Sequence, residues 1–405
     1  MAASLQNGPL QGVRVLDLST VVAGPLSTAH LADQGAEVIK IEPLGGDINR
    51  RSRAKVSSNG EFSALFISTN RGKRSLAIDL KTPEGQDILR KLAANADVLV
   101  QNFRTGAMDR LGLGEPVLRK INPRLIYVSI TGVGEKGPYA RKRIYDPMIQ
   151  GMSGLADIQT DQQTKRPRMI RTIVADKTTA IFTTQAITAA LYAREKTGEG
   201  QHVRISLLSA MLAFLWPEGM MPHTVVALDN NSISTNSGPD LIFEAADGYL
   251  TVGTISDSEW QGFCQALERP DLISDERFST AERRFKNSHE RIDLMASLLK
   301  GFTVAQLLER LDACDVPCAP VLRRHQIVDN EQVKAMDMIV TLDQPTVGEV
   351  RQPRPAATFD RTPTRGAQPA PLIGDGTDDI LAQQLGLDAA AIADLKARNV
   401  VRGRS

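Results

Sequence analysis

Two textures of hydrophobic and polar positions divide the chain. Residues 13–18, Val-Arg-Val-Leu-Asp-Leu, are mostly apolar and β-rich, the pattern of a strand buried on both faces. Pro25 follows where a first helical turn tolerates proline, and the pattern predicts a helix to about residue 34, closed by Gly35. Residues 37–41, Glu-Val-Ile-Lys-Ile, are the next predicted strand, so the chain opens with a β-α-β unit. Thr82-Pro83-Glu84 starts another helix, with a hydroxyl cap, a proline in the first turn and an early acid. Further strands are expected at 97–100 and 124–128. Parallel strands joined by helices predict a doubly wound α/β sheet.

A long helix is predicted over 176–195, then a strand at 201–206 and one more helix. The texture changes after Pro222. Residues 243–252 read as a hairpin turning at Asp247-Gly248, and amphipathic helices are expected at 257–267, 289–301 and 303–313. This assigns 1–222 to the large domain, 223–325 to a smaller α+β domain, and 326–405 to a linker and a C-terminal part that returns to the large domain. The proline-rich stretch 344–371 is expected to wrap over a surface.

Composition narrows the function classes. The 405 residues carry 48 Lys+Arg against 47 Asp+Glu, a formal charge of +1, and 42% are hydrophobic, as in an ordinary globular protein. Balanced charge and 4% aromatics leave neither the basic footprint nor the stacking platforms of a nucleic-acid binder. The longest apolar run, 207–216, is shorter than the ~18 residues a membrane span needs, and the start lacks a signal-peptide core. A soluble, cytoplasmic protein is expected. Cys264, Cys314 and Cys318 make neither a disulfide framework nor a zinc set, and no metal is expected.

Several familiar motifs fail on context. Gly132-Val133-Gly134-Glu135-Lys136-Gly137 matches G-x-G-x-x-G, but Pro138 and a basic tract follow it. A dinucleotide site needs a helix there, with its N-terminus on the pyrophosphate. No phosphate loop or nucleophile elbow is present. Carboxylate chemistry remains. Residues 168–176, Arg-Met-Ile-Arg-Thr-Ile-Val-Ala-Asp, read as a strand-like run ending in an acid where the long helix begins. Asp176 would sit there among free N–H groups at the positive end of the helix dipole, and position alone favours a helix cap. Arg168 and Arg171 lie three apart, so on an extended segment at most one faces a pocket to bind a second carboxylate.

A set of blocks in order along nearly the whole chain resembles the class III (CaiB/BaiF) CoA-transferases, which include formyl-CoA and carnitine CoA-transferases and, as a divergent branch, α-methylacyl-CoA racemase. The blocks are Val15-Leu16-Asp17-Leu18, Ala23-Gly24-Pro25, Gly35-Ala36-Glu37-Val38-Ile39-Lys40-Ile41-Glu42, Lys73-Arg74-Ser75, Asp79-Leu80-Lys81-Thr82-Pro83-Glu84-Gly85, Met108-Asp109-Arg110-Leu111-Gly112, Thr197-Gly198-Glu199-Gly200-Gln201 and Ala370-Pro371-Leu372-Ile373-Gly374. The resemblance implies an acyl-CoA:carboxylate CoA-transferase with coenzyme A thioesters as substrates and no permanent cofactor. It places the catalytic aspartate at Asp176, in Val174-Ala175-Asp176, which reverses the helix-cap reading, and puts Tyr145 and Asp146 in the active-site lining. It further implies a Rossmann-like large domain with a smaller α+β domain, a CoA groove lined by Val22, Ala23, Ile78, Lys81, Asn102, Phe103, Arg110 and Arg143, and an interlocked-ring homodimer. Val22 and Pro43 stand where formyl-CoA transferase has glutamine and arginine, and its glycine-rich loop has only Ser237-Gly238-Pro239 as a counterpart, departures that point away from oxalate and formate. The racemase branch has histidine before the aspartate; Tyr145 in that place is a poor base for an α-proton, which favours transfer over isomerisation. A CoA-dependent isomerase and a non-catalytic CoA-binding protein are the alternatives.

Overall fold

The structure, a computed structural model, describes residues 7–52, 56–57, 60–161, 163–226, 240–364 and 366–404. Ser237-Gly238-Pro239 lies outside them. The chain divides into two compact units, Met1–Thr224 with Asp337–Ser405, and Val225–Met336.

The larger unit runs β1 (Arg14–Asp17), α1 (Ala23–Asp33), β2 (Glu37–Glu42), α2 (Ala64–Asn70), β3 (Lys73–Ile78), α3 (Pro83–Ala93), β4 (Val98–Gln101), α4 (Ala107–Arg110), α5 (Glu115–Ile121) and β5 (Ile126–Thr131). It continues through α6 (Asp146–Met152), α7 (Leu155–Ile158), α8 (Val174–Thr197), β6 (His202–Ser206) and α9 (Leu207–Leu215). Among the described residues β1 to β6 form a parallel sheet in the order β3-β2-β1-β4-β5-β6. Alternation along each buried strand feeds two cores. Val15, Val38, Val98, Val100, Ile126 and Val128 pack on the side of α1 and α8. Leu16, Ile39, Leu76, Leu99 and Tyr127 pack with Leu89 and Leu92 of α3. The chain winds from β1 out to β3 and then back to β4, so β1 and β4 are neighbours with divergent connections, the switch point where α/β sheets bind ligands.

The smaller unit carries β7 (Ile242–Glu244), β8 (Tyr249–Val252), α10 (Asp257–Ala266), α11 (Ala281–Lys286), α12 (Ser288–Leu299), α13 (Val304–Ala313), β9 (Cys318–Pro320) and α14 (Glu331–Ala335). Its strands pair antiparallel in the order β7-β8-β9, with Phe243 opposite Leu250 across the Asp247-Gly248 turn. Trp260, Phe263, Phe278, Met295 and Leu307 fill its core. The chain then forms β10 (Ile339–Gln344), β11 (Gly348–Pro353), α15 (Thr377–Leu385), α16 (Ala389–Ala397) and β12 (Val401–Arg402), the last antiparallel to β3 at the sheet edge.

Three local expectations change. The proline-rich stretch begins inside a hairpin, because β10 and β11 pair from Ile339 with Pro353 to Gln344 with Gly348. Residues 166–172 join no sheet, with bends at Arg171 and Thr172, and α8 starts at Val174 rather than at Asp176. Strand β3 is not among the predicted strands; its Lys73 and Ser75 are buried. No helix among the described residues is long and apolar enough to cross a membrane.

Candidate active site

The site grows from two helix N-termini. Asp176 lies in the first turn of α8, whose cap residue Ile173 has no side chain to offer its amides. Asp146, buried at the start of α6, does that work instead. Its Oδ2 accepts from the backbone N–H of Ala175 at 2.7 Å and of Asp176 at 3.2 Å, while its Oδ1 accepts from Gln150 Nε2 at 2.7 Å. Gln150 also grips the segment before α8, accepting from Ile170 N at 3.0 Å and donating to Thr172 O at 3.1 Å. Asp176 is thereby free of capping duty. Burial, then the neighbouring Asp146, push its carboxyl up to about 6, against a hydrogen bond from the backbone N–H of Ala23. It is ionised at neutral pH but a stronger base than an exposed aspartate.

Ala23 opens α1, whose cap residue Val22 also lacks a side-chain cap. The loop between β1 and α1 is fixed by its carbonyls. Ser19 O accepts from Lys40 Nζ at 2.6 Å, Thr20 O from Asn102 Nδ2 at 2.7 Å, and Val21 O from Asn49 Nδ2. Asn102 Oδ1 in turn accepts from Thr20 N at 2.9 Å, tying the two loops of the switch point together. Val21 has φ 72°, a left-handed conformation that costs a β-branched residue about 1–3 kcal/mol. The amides of Val21 and Val22 find no acceptor among the described residues. Gly24 is required here, since a Cβ would meet Ser19 Cβ at 2.2 Å.

Below this loop lies a fully buried ionic cluster. Lys73 Nζ donates to Asp17 Oδ2, Pro25 O and Asn70 Oδ1 at 2.8, 2.8 and 2.9 Å. Lys40 pairs with Asp47 at 2.8 Å, and Arg50 with Glu42 at 2.6 Å. Burial would raise the Asp17 carboxyl, yet Lys73, Lys40 and Ser19 hold it at about 2. Burial brings the Lys73 ammonium down to about 8 against the pull of Asp17, so both partners are charged at neutral pH.

The predicted site residues are not all gathered in one place. Val22 and Ala23 lie in the loop beside Asp176, and Asn102 holds that loop. Phe103 lines a cleft of about 270 Å³ with Gln101, Ser129 and His202. Arg143 lines another, of about 650 Å³, with Ile144, Pro147, Met148, Met152 and Met169. Tyr145 is exposed at the start of α6. Lys81 and Arg110 are exposed on the turn before α3 and at the end of α4, while Ile78 is core, paired with Val401. Arg168 is held by Asp161 at 2.5 Å; Arg171 is exposed without a partner among the described residues. Among those residues no group of three or more His, Cys, Asp or Glu could hold a metal ion. Asn49 and Gln150 were missed by the sequence reading, although Gln150 follows Asp146 by one helical turn.

Residues 10–377 match the model of CoA-transferase family III. The chain belongs to that family. Among its relatives is mouse succinyl-CoA:glutarate CoA-transferase, 34% identical over 398 residues that cover 97% of this chain and 90% of the mouse protein. Succinyl-CoA:mesaconate CoA-transferase of Haloarcula hispanica is 35% identical, covering 92% and 96%. The crystal structure of a CaiB/BaiF family protein from Brucella suis superposes with a TM-score of 0.82 at 32% identity, covering 94% of this chain and all of that one. This CoA-transferase therefore handles CoA thioesters.

Proposed function

We propose that the protein moves CoA between dicarboxylic acids with Asp176 as the nucleophile. One observation carries this reading: a half-buried carboxylate, raised to about 6, set between the N-termini of α1 and α8. An Asp176 oxygen attacks the donor thioester and expels CoA thiolate, leaving an aspartyl-acyl anhydride. The thiolate attacks the Asp176 carbonyl, frees the donor acid and forms an aspartyl-CoA thioester. The acceptor carboxylate displaces the thiolate to give a second anhydride, and the thiolate then takes the acceptor's acyl group and restores Asp176. The thioester's free energy is passed on without ATP. The open amides of Val21 and Val22 are the donors suited to the tetrahedral oxyanions.

Dicarboxylate choice is supported by the succinyl, glutarate and mesaconate specificities in the names of the relatives, and by Arg171, five residues before Asp176 and unpaired among the described residues. Arg168, neutralised by Asp161, is the weaker candidate. Lys81, Arg110 and Arg143 are the exposed cations proposed for the CoA phosphates, and a homodimer is the proposed assembly.

The test is to incubate the protein with succinyl-CoA, quench with hydroxylamine or borohydride, and map the modified peptide by mass spectrometry. Modification at Asp176, absent in Asp176→Asn, is expected, with a fall in transfer to glutarate of at least about 10³-fold. An unmodified Asp176 across a panel of acyl-CoAs would favour the isomerase or the binding protein.

A further inference from the structure

We propose that Asn49 is a positioning residue for the transfer reaction, holding the Val21 carbonyl so that the strained turn presents its amides to Asp176; this rests on Asp176 as nucleophile. Three consecutive carbonyls of the β1–α1 loop, those of Ser19, Thr20 and Val21, are taken by side-chain donors from three separate stretches of chain. The amides of Val21 and Val22 have no acceptor among the described residues, and that of Ala23 faces Asp176. The Val21 contact is the critical one, because Val21 alone of the three sits in the left-handed region. Without a donor on its carbonyl, the relaxed state of a β-branched residue is extended, and the amides that follow turn elsewhere.

Asn49 is itself held rigidly. Its N–H donates to Asp47 Oδ1 at 2.8 Å, and its carbonyl accepts from Ser63 Oγ at 2.5 Å. The next residue, Arg50, is fixed by Glu42 through Nε at 2.8 Å and Nη2 at 2.6 Å, and by Pro371 O at 3.1 Å. Only the side-chain amide reaches out of this frame, 28 positions back along the chain to Val21. The result is a short, buried side-chain arm whose donor contact among the described residues is to the turn beside Asp176. No substrate atom need touch Asn49.

The experiment uses the full chain, succinyl-CoA and glutarate. Asn49→Leu keeps the side-chain size but removes the donor. It is expected to lower kcat by about 10- to 100-fold with KM for succinyl-CoA changed less than about threefold. Loss of the Ala23 hydrogen bond also moves the acid limb of the pH–rate profile upward, Asp146 being the other charged group that faces Asp176. Val21→Gly, placed in the Asn49→Leu background, is expected to recover most of the lost rate, because glycine keeps the left-handed turn without help. A wild-type rate in Asn49→Leu overturns the proposal, as does a loss with no shift of the limb and no rescue by Val21→Gly, which marks a merely structural contact. If Asn49→Leu does not fold, Asn49→Ser, too short to reach Val21, is measured in the same way. A full rate in Asp176→Asn sinks the nucleophile reading and this proposal together, whereas an Asn49 failure alone leaves the nucleophile standing.

Discussion

The two units solve stability in different ways. The larger one buries Asp17, Lys40, Glu42, Asp47, Arg50 and Lys73 beneath the β1–α1 loop, with side chains at most 1% exposed. In the smaller one the pairs Arg269–Asp271, Lys300–Glu244, Arg310–Glu268 and Lys334–Asp329 lie at the surface, and the interior is apolar and aromatic apart from the buried Arg284, which reaches the exposed Asp257 at 2.6 Å. Replacing a buried ion cluster with hydrocarbon is often neutral or better for stability. Its presence beneath one loop is therefore better explained by what it fixes than by what it contributes to folding. It fixes backbone: Ser19 O and Pro25 O both end on buried ammonium groups. The lesson is that the unit holding the candidate site gathers a cluster of buried charges beneath one loop, while its neighbour along the chain relies mainly on packing, with the buried Arg284 tied to the carbonyls of Ile255 and Phe278.

The sharpest test removes one partner. Lys73→Met leaves Asp17 buried without its ion-pair partner and is expected to cost about 3–5 kcal/mol in denaturant unfolding, while Asp17→Leu with Lys73→Met restores much of it. Trp260→Ala is the matching deletion in the smaller unit. Trp260 stacks on Phe263 at 5.6 Å and packs on Phe278 at 5.5 Å, so a loss of about 3–5 kcal/mol is expected with no such rescue. If Lys73→Met were tolerated as well as a surface change, the contrast between the units would fail.

Acid gives the next effect. Asp17 has its carboxyl depressed to about 2 from 3.8, so its stabilisation is complete above the unfolded value and is lost as pH falls from 3.8 through 2. The window is worth about 2 kcal/mol and should survive added salt, since the cluster is buried. Asp176 works in the opposite direction. Its folded value of about 6 lies above 3.8, so ionisation in the fold is penalised above pH 6 and the penalty disappears as pH falls toward 3.8. Asp176→Asn is therefore expected to raise stability by about 1–2 kcal/mol at pH 7.5 and by nothing near pH 4. Equal stability of the two proteins at pH 7.5 would remove the electrostatic case for a poised carboxylate.

Much of this was legible in the sequence. The β-α-β opening, the long helix and the hairpin at Asp247-Gly248 follow from periodicity, proline placement and turn chemistry, because those signals are local. The ion cluster was not legible. Lys40 reads as the polar position of a predicted strand and Lys73 falls in no predicted element, and the Asp17 partner of Lys73 lies 56 positions away. For the same reason β3 was overlooked. At the site, Asp176 was visible as an acid at a helix start, but position alone made it the cap. Only the fold shows that Asp146, 30 residues earlier, takes that duty. Asn49 gave no local signal at all, since its one distinguishing bond is to a carbonyl.

The smallest expected effect completes the contrast. Lys300 and Glu244 are 3.1 Å apart in the smaller unit, with side chains 67% and 55% exposed. Water already solvates both ends, and holding two long side chains together costs entropy comparable to the Coulomb gain. Lys300→Ala should shift unfolding by no more than about 0.5 kcal/mol, and less in 0.5 M salt. The geometry of this pair resembles that of Lys73 with Asp17 at 2.8 Å, so distance does not separate the two predictions; solvent access does. A Lys300→Ala loss approaching that of Lys73→Met would mean that ion pairs stabilise the two units alike. The buried cluster would then need no role in fixing the loop.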